Sequence, residues 1–452
     1  MDEEVHDPVA RGPGGGRDRV RDRRQEGGIA EAYRPFAGRT VTLGVASGIA
    51  CYKAVDLMRD LQRAGARVRV VLTSAASELV RPALFEALSG ERVGTGLWGD
   101  WGTAEPGGTG SEYARFPHLD FARGIDAVVV APATANTLGK AVAGIADDLL
   151  TTTLAAVEPS RTPVLFVPTM NATMYDHPAC RANRSTLRER GAFILTPDEG
   201  PLACGETGVG RWPGNAAILA ALDRLVNGRG RLSGRRVVVT AGPTEAAIDP
   251  ARVLTNRSSG KMGYALAGAA WREGAEVTLI HGPTRLEAPP FVRTVSVRTT
   301  AELSEVVAEA LPGAAQLWMA AAPADFGPDR ENPTKLKKDE WDGRLALERS
   351  EDVLARAVVE RDASTVIVGF AVETDDVEAK AAEKLVSKGC DFLVVNDPTE
   401  AGAGFGHDTN RVFAIGADGS RRDFELMSKR SLAHELVDWV LDRREREAEV
   451  AS

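Results

Sequence analysis

Cysteine is scarce in this sequence. The four present, at 51, 180, 204 and 390, stand far apart. They form no CxxC pair and no metal-finger spacing, which excludes a disulfide framework or a cysteine-built zinc site and makes the cytoplasm the expected compartment. A basic excess is also missing. The 55 Lys and Arg residues are outnumbered by 64 Asp and Glu, for a net charge of -9. That leaves no global footprint for nucleic acid, although a local basic pocket for phosphates stays possible. No apolar run approaches the ~18 residues of a spanning helix, so no membrane partner is expected. The opening, "MDEEVHDPVARGPGGGRDRVRDRRQEGG", has no apolar centre and is not a secretory signal. Residues 1–37 are expected to be a disordered, charged extension.

What is present is ordinary globular material: 43% hydrophobic and 26% charged residues. At 452 residues the chain is too long for one core. From residue 38 the pattern becomes regular. "RTVTLGVASGIACYKAVDLMRDLQRAGARVRVVLTSAA" reads strand, glycine loop, amphipathic helix, strand. Apolar runs follow at "DAVVVAP" and "PVLFVPT", as strands buried on both faces require. The pattern restarts at 234 with "GRRVVVTAGPT" and a helix from "SSGKMG". The expectation is α/β: two doubly wound, Rossmann-like or flavodoxin-like parallel-sheet domains over 38–225 and 234–443. Residues 226–233 link them, and 444–452 form a charged tail.

Chemistry concentrates at predicted strand ends, where doubly wound folds place ligands. "GVASGIACYK" lacks the GxGxxG spacing. Its Ser47, Gly48 and Ile49 either meet a phosphate at a helix N-terminus or make a tight turn. Ser74 and Ser77 either cap a helix or bind phosphate. Pro132, Thr134 and Asn136 follow the third strand, and capping is the alternative for the latter two. Asn171 stands between Met170 and Met174, which either line a flat apolar ligand or pack in the core. His118 is isolated. Cys204 sits in the glycine loop "GPLACGETGVG".

Taken in order, "SGIACYKA", His118-Leu119-Asp120, "APATANT", "GIADDLLTTT", "PTMNATM" and "LACGETGVGR" resemble the flavin-dependent cysteine decarboxylases. The resemblance is to the decarboxylase half of the bifunctional coenzyme A biosynthesis enzymes. It implies flavin mononucleotide (FMN) bound by the residues named above, His118 as active-site base and Asn171 as contact to the substrate carboxylate. It also implies Cys204 as proton donor, a role suited to a thiol whose ordinary pKa is ~8.5. The site is expected between subunits of a trimer. Cys51, Cys180 and Cys390 read as packing, helix or turn positions.

In the second half, "SSGKMG" fails as a P-loop, because Met262 follows Lys261 and Thr255 stands where the first glycine belongs. "TAGPTEAAIDPARVLTNRSSGKMG", "MAAAPADFGPDRENPTKLKKDE", "GFAVET", "KLVSKGCDFLVVNDP" and "FGHDTNRVFAI" resemble the phosphopantothenate–cysteine ligase half of the same enzymes. The resemblance implies activation of 4'-phosphopantothenate by CTP, attack by cysteine, and Mg²⁺ with the triphosphate. Asn256 would orient the acyl-cytidylate and Lys335, in a cluster with Lys337 and Lys338, would serve the cysteine step. Arg252 also matches a functional position. Ala321 and Ala322 would let the backbone approach the ligand. Asp325, Phe370, Lys384 and Lys388 would contact the nucleotide, the two lysines one helical turn apart. Ligase dimers joining decarboxylase trimers would make a dodecamer.

The sequence departs from the family pattern at "ASGIACYK", at Glu245-Ala246-Ala247, at Phe326-Gly327 and in the glycine-rich stretch before His118. These departures leave two other readings: a specialised-pathway relative applying the same chemistry to another substrate, or a flavin-binding regulatory module.

Overall fold

The computed structural model describes residues 33–451, apart from 99–115, 159, 340, 342, 374–376, 398, 401 and 405. The glycine-rich stretch before His118 lies almost wholly outside the described residues, as does residues 1–32 of the expected extension.

The first domain is built on a parallel sheet of β1 (Thr40–Val45), β2 (Arg67–Leu72), β3 (Ala127–Ala133), β4 (Val164–Pro168) and β5 (Phe193–Ile194), in the order β2-β1-β3-β4-β5. Every residue of β3 is buried, which explains its unbroken apolar run. The helix Lys53–Arg63 after β1 buries Ala54, Leu57, Met58 and Leu61, one stripe at helical spacing. Gly44 in β1 is required by contact, since a Cβ there would lie 2.3 Å from Leu150 Cδ1. The strand order reverses between β1 and β3 and opens a crevice at their carboxyl ends. An antiparallel hairpin, β6 (Asp198–Pro201) and β7 (Thr207–Arg211), follows the sheet.

The helix Asn215–Asn227 leads into the second domain. There β8 (Arg236–Ala241) precedes a hairpin of β9 (Glu245–Asp249) and β10 (Arg252–Thr255). Next come β11 (Glu276–His281), β12 (Arg293–Ser296), β13 (Gln316–Met319) and a small pair, β14 (Phe326–Pro328) with β15 (Leu347–Arg349). The domain closes with β16 (Val366–Val372), β17 (Phe392–Asn396), β18 (Thr409–Gly416) and β19 (Arg421–Ser428). The main sheet runs β12-β11-β8-β13-β16-β17-β18-β19, the last two strands antiparallel. Its strand order reverses between β8 and β13. Both domains are doubly wound α/β, as expected.

One boundary differs from the sequence reading. Residues 33–37, assigned to the disordered extension, are folded: Phe36 is fully buried and its N–H donates to Ala64 O at 3.0 Å. The linker 226–233 is anchored to the second domain. Leu232 is buried, and Arg231 pairs with Glu273 at 3.4 Å, with Asp442 at 2.7 Å and with Asp438. The tail continues the helix Lys429–Ala451, helped by an Arg444–Glu447 pair at 2.6 Å one turn apart. Among the described residues, no helix is long and apolar enough to cross a membrane.

Candidate active sites

The first crevice gathers the ends of β1 and β3. Ala46 N–H donates to Pro132 O at 3.2 Å and ties the two strand ends together. Ser47 and Gly48 are half-buried and Ile49 is exposed. A Cβ on Gly48 would stand 3.8 Å from Thr134 Cγ2, so the two loops face one another. Thr134 is a helix cap, its Oγ1 accepting from Thr137 N at 3.2 Å, while Asn136 stays exposed on the first turn. After β2 the cap is Thr73, which accepts from Ala76 N at 3.2 Å. Ser74 is therefore an exposed first-turn residue and caps nothing, and Ser77 donates to Thr73 O at 3.3 Å. The β-region backbone at Thr73 makes it the cap, one residue before the serine singled out from sequence.

At the end of β4 the hairpin folds back onto residues 170–172. Met170 N–H donates to Gly210 O at 3.0 Å, and Gly208 and Gly210 permit the approach. A Cβ would fall 2.7 Å from Ala172 Cβ at Gly208 and 2.1 Å from Met170 O at Gly210, whose φ is +150°. This contact carries the hairpin tip to Asn171. The Asn171 Nδ2 group donates to Glu206 Oε2 at 2.6 Å and lies 3.4 Å from Cys204 Sγ, while its Oδ1 accepts from Thr173 N at 2.8 Å. Cys204 Sγ lies 3.7 Å from Glu206 Oε2. Cys204 and Glu206 are exposed and Asn171 half-buried. The arrangement is an accessible thiol donor held between an amide and a carboxylate.

His118 is half-buried in the short helix Pro117–Ala122. Bonds from Thr42 Oγ1 to Phe121 O and from Arg69 Nη1 to Asp120 O, each 2.8 Å, pin that helix to the sheet. Among the described residues, no hydrogen bond links His118 to the Asn171–Cys204–Glu206 group. The other cysteines are buried; Cys180 lies in the helix Pro178–Glu189, and burial pushes the Cys390 thiol up to about 11.

The second crevice is a cleft of about 860 Å³ where β8 and β13 diverge. Of the residues expected there, Asn256, Ala321, Ala322, Asp325, Phe370, Lys384 and Lys388 line it. Asn256 Nδ2 donates to Ala322 O at 3.3 Å and to Pro323 O at 2.8 Å. The helix Lys261–Arg272 starts at the cleft from Gly260, whose φ is +78°, with no side-chain cap. Its first amides are thus open to an anion. Lys384 pairs with the buried Glu373, and Lys388 with Asp352.

Arg252 and Lys335 do not line the cleft. Arg252 pairs with Asp249 at 3.0 Å on the β9–β10 hairpin. Asp249 also accepts from Leu336 N at 3.2 Å, and Asn332 N–H donates to Ile248 O at 3.0 Å. The lysine-bearing loop is thus latched to that hairpin, with Lys335, Lys337 and Lys338 exposed. Glu245, at one of the departures from the family pattern, pairs with Arg298 at 2.8 Å. Among the described residues, no group of three or more His, Cys, Asp or Glu side chains converges as metal ligands.

Two residues were not foreseen. Glu206 lies inside the motif that flagged Cys204, where its carboxylate two positions on was the available signal. Lys429 also lines the cleft, and its buried Nζ donates to Gly404 O at 2.9 Å and His407 O at 2.8 Å. Burial, then the charge of Lys261, pushes its ammonium down to about 8, with Asp408 opposing. Its position at the start of a distant helix carried no sequence signal.

Comparison with known proteins divides the chain at the same joint. The family described as "Flavoprotein" matches residues 29–227. The "DNA/pantothenate metabolism flavoprotein C-terminal domain" matches residues 232–443. The chain is similar to the "Coenzyme A biosynthesis bifunctional protein CoaBC" of Bacillus subtilis, with 42% identity over 405 residues, covering 89% of this chain and 96% of that protein. The protein of that name from Mycobacterium bovis is 41% identical over 418 residues, covering 89% and 96%. The Vibrio cholerae protein is 38% identical over 409 residues, covering 90% and 98%.

Proposed function

The chain belongs to the family of bifunctional coenzyme A biosynthesis proteins, and from that membership we propose how its two crevices divide the work. The enzyme joins 4'-phosphopantothenate to cysteine in a CTP-dependent ligation, then decarboxylates 4'-phosphopantothenoylcysteine to 4'-phosphopantetheine. The second-domain cleft carries the ligation and the first crevice the decarboxylation.

The residues of the first crevice fit FMN. The hydroxyls of Ser47 and Ser74 and the open backbone at the β1 end suit a phosphate. Ile49, 69% exposed, offers apolar surface to a flat ring near Thr134 and Asn136, whereas Met170 is half-buried and packs against the core, its Sδ 3.7 Å from Cys180 Sγ. When bound, FMN supplies a reversible two-electron acceptor that turns the substrate carboxylate into a leaving group. The Asn171 amide binds that carboxylate. Cys204 gives its S–H proton to the carbon that has lost carbon dioxide, and the hairpin tip shields the reacting carbon from water. His118 is the base. The reading completes this site with a neighbouring copy, in a trimer that ligase dimers extend to a dodecamer. The reading puts both reactions in the cytoplasm.

In the cleft, Asp325, Phe370, Lys384 and Lys388 hold the nucleotide, while Ala321 and Ala322 let it approach the backbone. Asn256 orients the acyl-cytidylate. Arg252 and Lys335 reach the reaction from the latched hairpin and loop, with Lys335 serving the attack by cysteine. Among the described residues, no group of three or more His, Cys, Asp or Glu side chains forms a cage for Mg²⁺. The metal enters this reading only as counter-ion to the triphosphate.

The observation that carries the reading is the Asn171 amide 3.4 Å from an exposed Cys204 thiol. The test supplies 4'-phosphopantothenate, cysteine and CTP to the purified protein and to Cys204→Ser. The parent makes 4'-phosphopantetheine. Cys204→Ser retains flavin and carbon dioxide release but accumulates the unsaturated thiol product. A normal phosphopantetheine yield from the variant rejects Cys204 as the acid.

A further inference from the structure

The main sheet of the second domain opens at both rims. The ligation cleft lies at the carboxyl ends of β8 and β13. A groove of about 760 Å³ lies at the opposite rim, where Arg236 and Glu276 begin β8 and β11. Arg224 reaches it from the helix Asn215–Asn227, which precedes the linker. The groove therefore forms where the two matched regions meet, and junctions of this kind favour small-molecule sites of this size.

Its lining is cationic and aromatic. Arg224, Arg236 and Arg293 outnumber the two acids on it, Glu276 and Glu309. Arg236 is spent on Pro312 O. Arg224 is half-buried, with its guanidinium 4.8 Å over the ring of Trp271. Among the described residues, neither Arg224 nor Arg293 has a side-chain hydrogen bond or an ion pair. Burial pushes the Arg224 guanidinium below its ordinary range, and no carboxylate offsets it. Two planar forks of donors are thus left open on one groove. That is the chemistry that recognises phosphate oxygens.

The aromatic part is held in a strained turn. Pro289 O accepts from Val292 N at 3.4 Å across Pro290 and Phe291, and Phe291 takes φ +65°. A turn with proline second and positive φ third normally has glycine or asparagine in that third place. Among the described residues, Phe291 is the only residue other than glycine with positive φ. Its ring stacks on Trp271 at 4.7 Å, with 22° between the planes. Trp271 is buried by this cover, but Phe291 itself stays 45% exposed and lines the groove. Packing on Trp271 accounts for one part of the ring, and the rest is free aromatic surface beside unpaired cations.

We propose that this groove is a second nucleotide-class site, separate from the ligation cleft: Arg224 and Arg293 take the phosphate, and the exposed surface of Phe291 takes the planar base. The experiment is equilibrium dialysis of radiolabelled AMP and of ribose 5-phosphate against the flavin-loaded full chain. The parent is compared with the double variant Arg224→Gln/Arg293→Gln, with Phe291→Gly and with the cleft variant Lys388→Gln. The parent should bind AMP more tightly than ribose 5-phosphate. The double variant should lose about tenfold or more in affinity for both, while its unchanged ligation rate verifies the fold. Phe291→Gly gives the turn its usual residue, so the chain should unfold at the parent's temperature or above. It should bind AMP about fivefold more weakly and ribose 5-phosphate as before. Lys388→Gln should leave AMP binding unchanged. Absence of AMP binding at about 1 mM overturns the proposal. So does AMP binding that survives in the double variant and falls in Lys388→Gln, which would place the ligand in the cleft. Unchanged AMP affinity in Phe291→Gly overturns the nucleotide assignment and leaves the ring a packing role on Trp271.

Discussion

Burial has moved the ammonium of Lys429 from the ordinary 10.5 to about 8. An ammonium has three donors, and two are spent on Gly404 O and His407 O. Below about pH 8 the group is charged in both folded and unfolded chains, and folding bears its desolvation. Between about pH 8 and 10.5 the folded chain is neutral while the unfolded chain still holds the proton, so stability rises with pH. Lys429→Met should remove that rise, of up to about 3 kcal/mol, when urea midpoints are compared across the window. Because Lys429 lines the cleft, its deprotonation should also raise the KM for CTP severalfold above pH 8 in the parent. A parental pH profile matching that of the variant would refute both statements. Lys429 also marks where sequence reasoning ends at this scale. Asn171 and Cys204 arrived inside an ordered motif and were legible. Lys429 acquires its character from a loop more than a helix turn away in the chain, which no spacing encodes. Arg252 and Lys335, expected at functional positions, stand outside the cleft lining: Asp249 pairs with Arg252 and accepts from the N–H of Leu336, the residue after Lys335.

The β6–β7 hairpin has almost no intrinsic strand character, with "DEGP" paired to "TGVGR". Its shape comes from contact with residues 170–172. Gly210 combines φ +150° with an added Cβ 2.1 Å from Met170 O, so Gly210→Ala forces the hairpin away from Asn171. The expected result is a loss of decarboxylation of about tenfold or more, corresponding to ~1.4 kcal/mol or more of lost positioning, with ligation unchanged. Equal loss of both activities, measured as two separate half-reactions, would count against this. The strands β1, β3, β4 and β8 were legible because burial on two faces leaves continuous apolar runs, whereas β12 and β19 are largely exposed and β18 alternates. The helix Lys53–Arg63 was legible from its stripe. The cap after β2 was misread by one residue because Thr73 and Ser74 offer the same chemistry and only backbone conformation separates them.

Over the whole molecule, the seam between domains is made by residues a composition-based reading discards. Tyr33 donates to Asp223 Oδ2 at 2.7 Å and stacks on His434 at 4.7 Å. Arg430 lies 4.7 Å from the same ring. Asn227 Nδ2 donates to Pro35 O at 2.9 Å, and Arg224 sits 4.8 Å over Trp271. Charge and glycine made the first 37 residues read as one disordered piece, although two aromatics near its end have cores to enter. Tyr33→Ala should split thermal unfolding into two calorimetric transitions, the lower one reduced by about 5 °C. One unshifted transition would show that the seam carries no stability.

The joint is braced from both sides. Arg231 anchors the linker to the second domain through Glu273, Asp438 and Asp442, and Tyr33 reaches from the first domain to His434. On the proposed division of labour, phosphopantothenoylcysteine made in one crevice has no swinging arm in the chain to carry it and reaches the other as a solute.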